Sequence, residues 1–385
     1  MGNRRTRKEN KNEIQPPPDL PESVLKEIFA RLPQECLAEL RYVCKCWHQL
    51  ISWNRFVADS FHKSSPGLLV QVVSSCRTKS LKTKLLEFDS EGIRFRHKPL
   101  GMSRMGKARS NCNGLLLVND MNEKKSLVVM NVLTKCYLTL PHCPSHCPHR
   151  SCGLALVFNP HEKVYRVVHV YNADFGFEIF TLGCSENEWK VIPGPFSGPH
   201  DRPFDEMFRW SDPLSTNGQL ILHWDVASRK YLISFDTCEE RFKRTKFPCS
   251  FDKGTGTLLE KGGNLSFVHR SSSTQFDVWV LEGFEDGVWN KSFCFKTESM
   301  SYMSPNINAL PSFENLVPAL FISLRDGEVM IFQHKSSPCW YLYETKHRVL
   351  RKLPGMPTKN PKLLTYKSSL ISWKNKEELF AREII

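Results

Sequence analysis

The feature that most constrains this chain is a change of hydrophobic period at Pro66-Gly67. Before it, apolar residues recur every three or four positions, which places them on one face of a helix. After it, short apolar or alternating runs take over, at 67–73, 115–118, 127–132, 154–158, 165–170, 220–224, 231–235, 264–268, 277–281, 316–324, 328–332 and 340–343. Asn113-Gly114, Asn217-Gly218, Gly263-Asn264, Asp286-Gly287 and Asp326-Gly327 punctuate them. Such pairs supply the positive φ that tight hairpins need. The pattern predicts a small all-α front followed by a large all-β body.

The β part repeats. Met130-Asn131-Val132 leads to Leu140-Pro141, and Phe180-Thr181-Leu182 leads through Trp189 to Ile192-Pro193. Ser234-Phe235-Asp236 leads through Phe242 to Phe247-Pro248, Trp279-Val280-Leu281 to Trp289, and Trp340-Tyr341-Leu342 to Leu353-Pro354. Each unit is an apolar strand, a polar turn and a second aromatic or aliphatic strand, most of them closed by proline. Units of this kind cannot bury their faces alone and must stack. About 320 residues at roughly 40–50 per four-stranded blade predicts a β-propeller of six or seven blades.

The helical front begins after a basic stretch with Arg4, Arg5, Arg7, Lys8 and Lys11, read as a disordered tail over residues 1–15. Pro16-Pro17-Pro18 favours an extended linker. Asp19 reads as an N-cap, with Pro21 and Glu22 in the first turn. Leu25, Ile28 and Leu32 share a helical face, and Pro33 is expected to end that helix. A second stripe runs through Leu37, Leu40, Val43, Cys44, Trp47, Leu50 and Ile51 to Trp53 and Phe56. Two or three helices this short carry more apolar surface than they can bury among themselves, so the excess needs a partner.

Residues 19–56 resemble an F-box, most tellingly in Leu20-Pro21, in Leu32-Pro33 and in the segment Val43-Cys44-Lys45-Cys46-Trp47. The β body resembles the F-box-associated, kelch-like domain of the large plant F-box family. Its recurring phrases look like Asn113-Gly114-Leu115-Leu116 and the run from Phe158-Asn159-Pro160 to Tyr165-Arg166-Val167-Val168. The resemblance implies an F-box over 16–62, a kelch-like propeller over 66–385, and no catalysis by this chain. It implies docking on a Skp-type adaptor and, through it, a cullin–RING ligase, with the β domain holding a target protein for ubiquitination. Matched residue by residue, Leu20, Pro21, Leu25, Ile28, Leu32, Pro33, Leu37, Leu40, Val43, Cys44, Trp47 and Leu50 lie in or beneath the adaptor interface. Leu20, Pro21, Leu32 and Pro33 are its expected direct contacts. The alternative is a binding scaffold, lectin or enzyme of propeller type whose helices only cap the ring.

The net charge of +13 favours an acidic or phosphorylated target. Basic residues do not alternate with aromatics in a way that would read bases, which speaks against nucleic acid. There is no apolar run of spanning length and no secretory h-region. The 14 cysteines are therefore expected as free thiols in the cytosol or nucleus. Gly2 and Thr6 fit a loose myristoylation pattern, but the pattern is short and often coincidental, and a flexible basic tail is the preferred reading.

His161-Glu162 lacks the second histidine of a zincin, Asp174-Phe175-Gly176 lacks every other kinase motif, and Lys253-Gly254-Thr255-Gly256 reads as a loop. Residues 142–152 hold His142, Cys143, His146, Cys147, His149 and Cys152, which are ligand types that zinc accepts. Their spacing is not of the paired Cys-x-x-Cys type and no distant second pair is visible, so an inter-strand loop and no cofactor are expected. Arg209, Trp210, His223 and Trp224 are the expected target-recognition residues, set against a reading of Trp224 as blade core.

Overall fold

The computed structural model describes residues 20–75, 80–88, 95–100, 106–119, 126–149, 152–171, 176–184, 187–196, 210–216, 220–225, 231–250, 255–296, 301–303, 311, 313–324, 327–357 and 361–373. The basic tail, Gly2, the triple proline, Asp19, Asp174-Phe175, Lys253-Gly254, Arg209, Asn217-Gly218 and Asp326 lie outside these residues.

Four short helices come first: α1 (Glu22–Phe29), α2 (Gln34–Leu40), α3 (Lys45–Ile51) and α4 (Asn54–Lys63). Pro21 stands at the N-cap of α1 and Pro33 at that of α2. Pro33 therefore opens the second helix, and α1 has already ended at Phe29. A fixed φ and a missing N–H suit a helix start better than its end. The stripe from Leu37 to Ile51 is broken in two because Cys44 is extended, with φ −156°, and its Sγ accepts the N–H of Trp47 at 3.5 Å. With α4 added, the module has four helices where the apolar spacing suggested two or three.

Six sheets follow among the described residues. The first holds β1 (Gly67–Ser75), β2 (Ser80–Phe88), β3 (Phe95–Pro99) and, on its inner edge, β25 (Lys362–Tyr366). The second is β4 (Lys107–Cys112), β5 (Leu115–Asn119), β6 (Leu127–Asn131) and β7 (Tyr137–Thr139). The third is β8 (Gly153–Asn159), β9 (Val164–Val170), β10 (Phe177–Thr181) and β11 (Trp189–Ile192). The fourth is β12 (Leu214–Thr216), β13 (Ile221–Asp225), β14 (Tyr231–Asp236) and β15 (Arg241–Lys246). The fifth is β16 (Gly256–Lys261), β17 (Asn264–Ser272), β18 (Gln275–Glu282) and β19 (Val288–Lys296). In the sixth, β20 (Ser301–Met303) lies parallel to β24 (Val349–Lys352), beyond β21 (Leu316–Leu324), β22 (Gly327–His334) and β23 (Trp340–Glu344).

The inner strands adjoin one another around a common centre, β25 beside β4, β4 beside β8, β12 beside β16 and β16 beside β21. The body is a six-bladed β-propeller. The five repeat units read from the sequence are the third and fourth strands of blades two to six. Blade one takes its inner strand, β25, from the far end of the domain and its other three from the start.

Three of the hairpins share a local device. Asn131, Asn159 and Asp236 each end a strand, and their side-chain oxygens accept the N–H groups two and three residues on. Four residues further on stand Lys135, Lys163 and Glu240, all with φ between 53° and 60°. The Asx turn caps the hairpin and the left-handed residue reverses it. Between blades, the indoles of Trp189, Trp289 and Trp340 donate to the carbonyls of Pro141, Lys246 and Pro357 at 2.7–3.1 Å.

Candidate docking face

The helical module is built on Phe29, Leu37, Ala38, Leu50, Ile51, Phe56 and Val57, all buried. Leu25, Leu32, Leu40 and Trp47 pack against that core and stay half-buried, Trp47 edge-on to Phe29 at 5.1 Å between centroids. The same core takes in Leu370 and Ile371 from the segment after β25, and Leu133 from the turn between β6 and β7. Asn131 holds that segment by donating through Nδ2 to the carbonyls of Ser369 and Ile371, both at 2.9 Å. Ser369 Oγ donates to Asn113 O at 2.6 Å. Gly114 beside it has φ +84°, and a Cβ there would lie 2.5 Å from Ser369 Oγ, so only glycine fits. The helices are thus seated on the ring through the chain's own C-terminal segment.

Nine large apolar side chains are exposed among the described residues, and six belong to this small module: Leu20, Val24, Ile28, Tyr42, Val43 and Trp53. Val43 and Tyr42 are 61% and 58% exposed. Exposure on this scale, concentrated in about 34 residues, makes this module the candidate interaction surface. Of the twelve residues assigned to the adaptor interface by resemblance, Leu37 and Leu50 are core and lie beneath any surface. Leu25, Leu32, Leu40 and Trp47 are half-buried, while Leu20, Pro21, Ile28, Pro33, Val43 and Cys44 are exposed. Val24, Tyr42 and Trp53 belong with the exposed set but were missing from it. Val24 precedes Ile28 by one helical turn, a signal that spacing alone could have supplied. Lys26 reaches over the Trp53 ring at 4.8 Å, which holds that indole in place.

The residues expected at a target surface require correction. Trp210, His223 and Trp224 are all buried, and Arg209 lies outside the described residues. Trp210 and Trp224 pack edge-on to each other and to Phe177 at 5.5–5.8 Å, in the core between blades three and four. His223 sits between Thr216 Oγ1 and Ser234 Oγ, both at 2.7 Å, and burial pushes its pKa down to about 3. These side chains stabilise a blade and present nothing to a partner.

At the ring's centre, β4, β16, β21, β25 and residues 212–216 line a cavity of about 380 Å³. Its polar focus is Asp212, which accepts from Arg109 at 2.7 Å and from Lys362 at 2.8 Å. Burial would raise the Asp212 carboxyl, but the Lys362 and Arg109 charges outweigh it and hold it below the usual carboxylate range. Two cations and the N–H of Leu154 occupy this group, so it ties inner strands together and has no proton to trade. Arg109 is the extra residue of a bulge between Ala108 and Ser110, where the register of β4 on β5 shifts. The bulge turns its guanidinium inward, where it also donates to the carbonyls of His149 at 2.8 Å and Cys152 at 2.5 Å.

Those two carbonyls belong to the Cys- and His-rich connection between blades two and three. Cys147, His149 and Cys152 converge there with His169 of β9, their ligating atoms all within 4.8 Å of one another. The distant histidine that the sequence pattern did not reveal comes from a strand. Cys143 and Glu178 stand beside this group.

The sequence profile of the F-box domain matches residues 17–59, and that of the F-box-associated β-propeller domain matches residues 63–353. The propeller observed here agrees with the second of those descriptions. The chain belongs to the F-box-associated β-propeller family and is a plant F-box protein. An Arabidopsis thaliana F-box/LRR-repeat/kelch-repeat protein is 26% identical over 73% of this chain and 78% of its own length. Two Arabidopsis thaliana F-box proteins are 24% and 26% identical, each over 82% of this chain and 83% and 86% of their own lengths.

Proposed function

We propose that this chain is the non-catalytic substrate-recognition subunit of a Skp–cullin–F-box ubiquitin ligase, working in the cytosol or nucleus. The observation that carries the reading is the exposed apolar face of a helical module too small to need one. Leu20, Pro21, Val24, Ile28, Pro33, Tyr42, Val43 and Trp53 would meet a Skp-type adaptor. The seat formed by 366–373 would transmit the position of that adaptor to the propeller, so a bound target stands at a defined place. Proximity of this kind raises effective concentration without chemistry on this chain. The net charge of +13 supports an acidic or phosphorylated target.

The test is capture of the full chain by a Skp-type adaptor. Val43→Asp and Ile28→Asp alter exposed positions, so the fold should hold while binding weakens by at least about tenfold, or ~1.4 kcal/mol. Leu32 is half-buried against the module's own core, which makes it a poorer probe. Failure of the folded wild type to bind, or equal binding by both variants, would sink the reading. A propeller enzyme or lectin, the alternative, would need the central cavity to hold a ligand. Asp212, its most prominent carboxylate, is committed to Arg109 and Lys362, which favours the docking role.

A further inference from the structure

We propose that Cys147, His149, Cys152 and His169 form a closed, structural zinc site that clips the connection between blades two and three onto blade three. The inference is independent of the docking role. It rests first on distance. A tetrahedral zinc with Zn–S near 2.3 Å and Zn–N near 2.0–2.1 Å places sulfur and nitrogen ligands about 3.6 Å apart. Cys152 Sγ and His149 Nδ1 stand 3.7 Å apart, and all four ligating atoms fit within 4.8 Å. Two thiolates and two imidazoles are a donor set of the borderline-soft kind that zinc prefers.

The second argument is the state of the imidazoles. His169 is fully buried, and among the described residues its Nε2 finds no hydrogen-bond partner. An unsatisfied ring nitrogen in the interior is costly unless something binds it. Its Nδ1 lies 2.9 Å from Glu178 Oε2, and Glu178 is the residue directly across the sheet on β10. Glu178 is itself fixed by the N–H and Oγ–H of Ser145 at 2.8 and 3.1 Å. A carboxylate on Nδ1 sets the tautomer in which Nε2 offers its lone pair inward, the usual outer partner of a zinc histidine. His149 is arranged in mirror fashion, Nδ1 toward Cys152 and Nε2 3.7 Å from Cys143 Sγ. Each ring thus has one nitrogen toward the proposed metal and one anchored behind it.

The loop is held for the purpose. His146 and His149 both adopt left-handed φ, 50° and 54°. Pro144 and Pro148 each follow a cysteine and narrow what the free loop can do. Arg109 grips the carbonyls of His149 and Cys152 from the other side. Cys147 is half-buried and the other three ligands are buried, so no position is left open for substrate, and the site is structural. Two thiolates would balance the charge of the ion.

The full-length chain, prepared without chelator and with its affinity tag removed, should contain about one zinc per molecule by mass-spectrometric metal analysis. The Cys147→Ser/Cys152→Ser variant should lose more than nine-tenths of it, and the Cys36→Ser/Cys46→Ser control should lose none. Should the double variant not fold, the wild type still decides: a strong chelator should lower its melting temperature, and added zinc should restore it. Cobalt in place of zinc should give the visible bands of a tetrahedral site with two thiolates. Folded wild type with less than about a tenth of an equivalent, unable to take up zinc under reducing conditions, would overturn the proposal. So would a different metal at full occupancy, or a Cys147–Cys152 disulfide in protein made in a reducing compartment.

Discussion

His223 shows how one side chain acquires a role opposite to the one its type suggests. A histidine beside a tryptophan, in a basic propeller, invites a binding role. Packed between Thr216 and Ser234 hydroxyls, it is instead held neutral, its pKa lowered by burial to about 3 from an ordinary 6.5. The sign of the consequence is fixed. Between these values the unfolded chain binds a proton that the folded chain refuses, so stability is present above pH 6.5 and is lost as the pH falls toward 3. From pH 7 to 5 the loss is about 2 kcal/mol from this residue. Urea midpoints measured across that range should show the decline in wild type and a clearly flatter response in His223→Gln. Equal slopes would mean that His223 is not the group responsible.

Elements were legible where a local signal makes them. The third and fourth strands of five blades are legible as apolar runs, polar turns and closing prolines, because hairpins are formed by residues near in sequence. The helical stretch is legible in the apolar spacing, but its division into four is not, because Pro33 and Cys44 begin helices that the spacing alone runs together or ends there. Asn131 illustrates a residue whose local signal was only half its meaning. Its Oδ1 caps the turn at Leu133 and Thr134, while its Nδ2 reaches across to Ser369 and Ile371. Asn131→Ala removes four hydrogen bonds at a fully buried position and should cost roughly 2–4 kcal/mol. Limited proteolysis should then cut the segment near Ser369 faster than in wild type, even at temperatures where the blades remain folded.

The ring closes through pairing of β1 with β25, Gly67 opposite Tyr366, residues almost 300 positions apart. The same C-terminal stretch then seats the helices through Leu370 and Ile371. Removing residues 361–385 therefore exposes the edge of blade one and uncovers the helical core together. It should cost more than about 5 kcal/mol, since several buried large side chains are lost at once. Thermal melts followed by circular dichroism should show a large fall in midpoint or no cooperative transition. A truncated chain that melts like wild type would show that blade one closes without β25.

By itself the sequence determined the all-α then all-β order, the propeller with its six or seven blades, the F-box and the surplus of apolar surface on it. The F-box was read from a resemblance carried by its Leu-Pro and Val-Cys-Lys-x-Trp phrases; the others follow from periodicity and from residues close together in the chain. The tertiary structure alone decided which apolar residues are core and which are face, because a helical stripe does not say what lies against it. Leu37 and Val43 share one stripe; the first is fully buried and the second is 61% exposed. Only the tertiary structure turned Trp210 inward and chose the blade-core reading for Trp224, and only it brought His169 to Cys147, His149 and Cys152. The reason is common to each case. Burial and ligation depend on which strands the blades place side by side, and that is settled by contacts too distant in sequence to leave a local pattern.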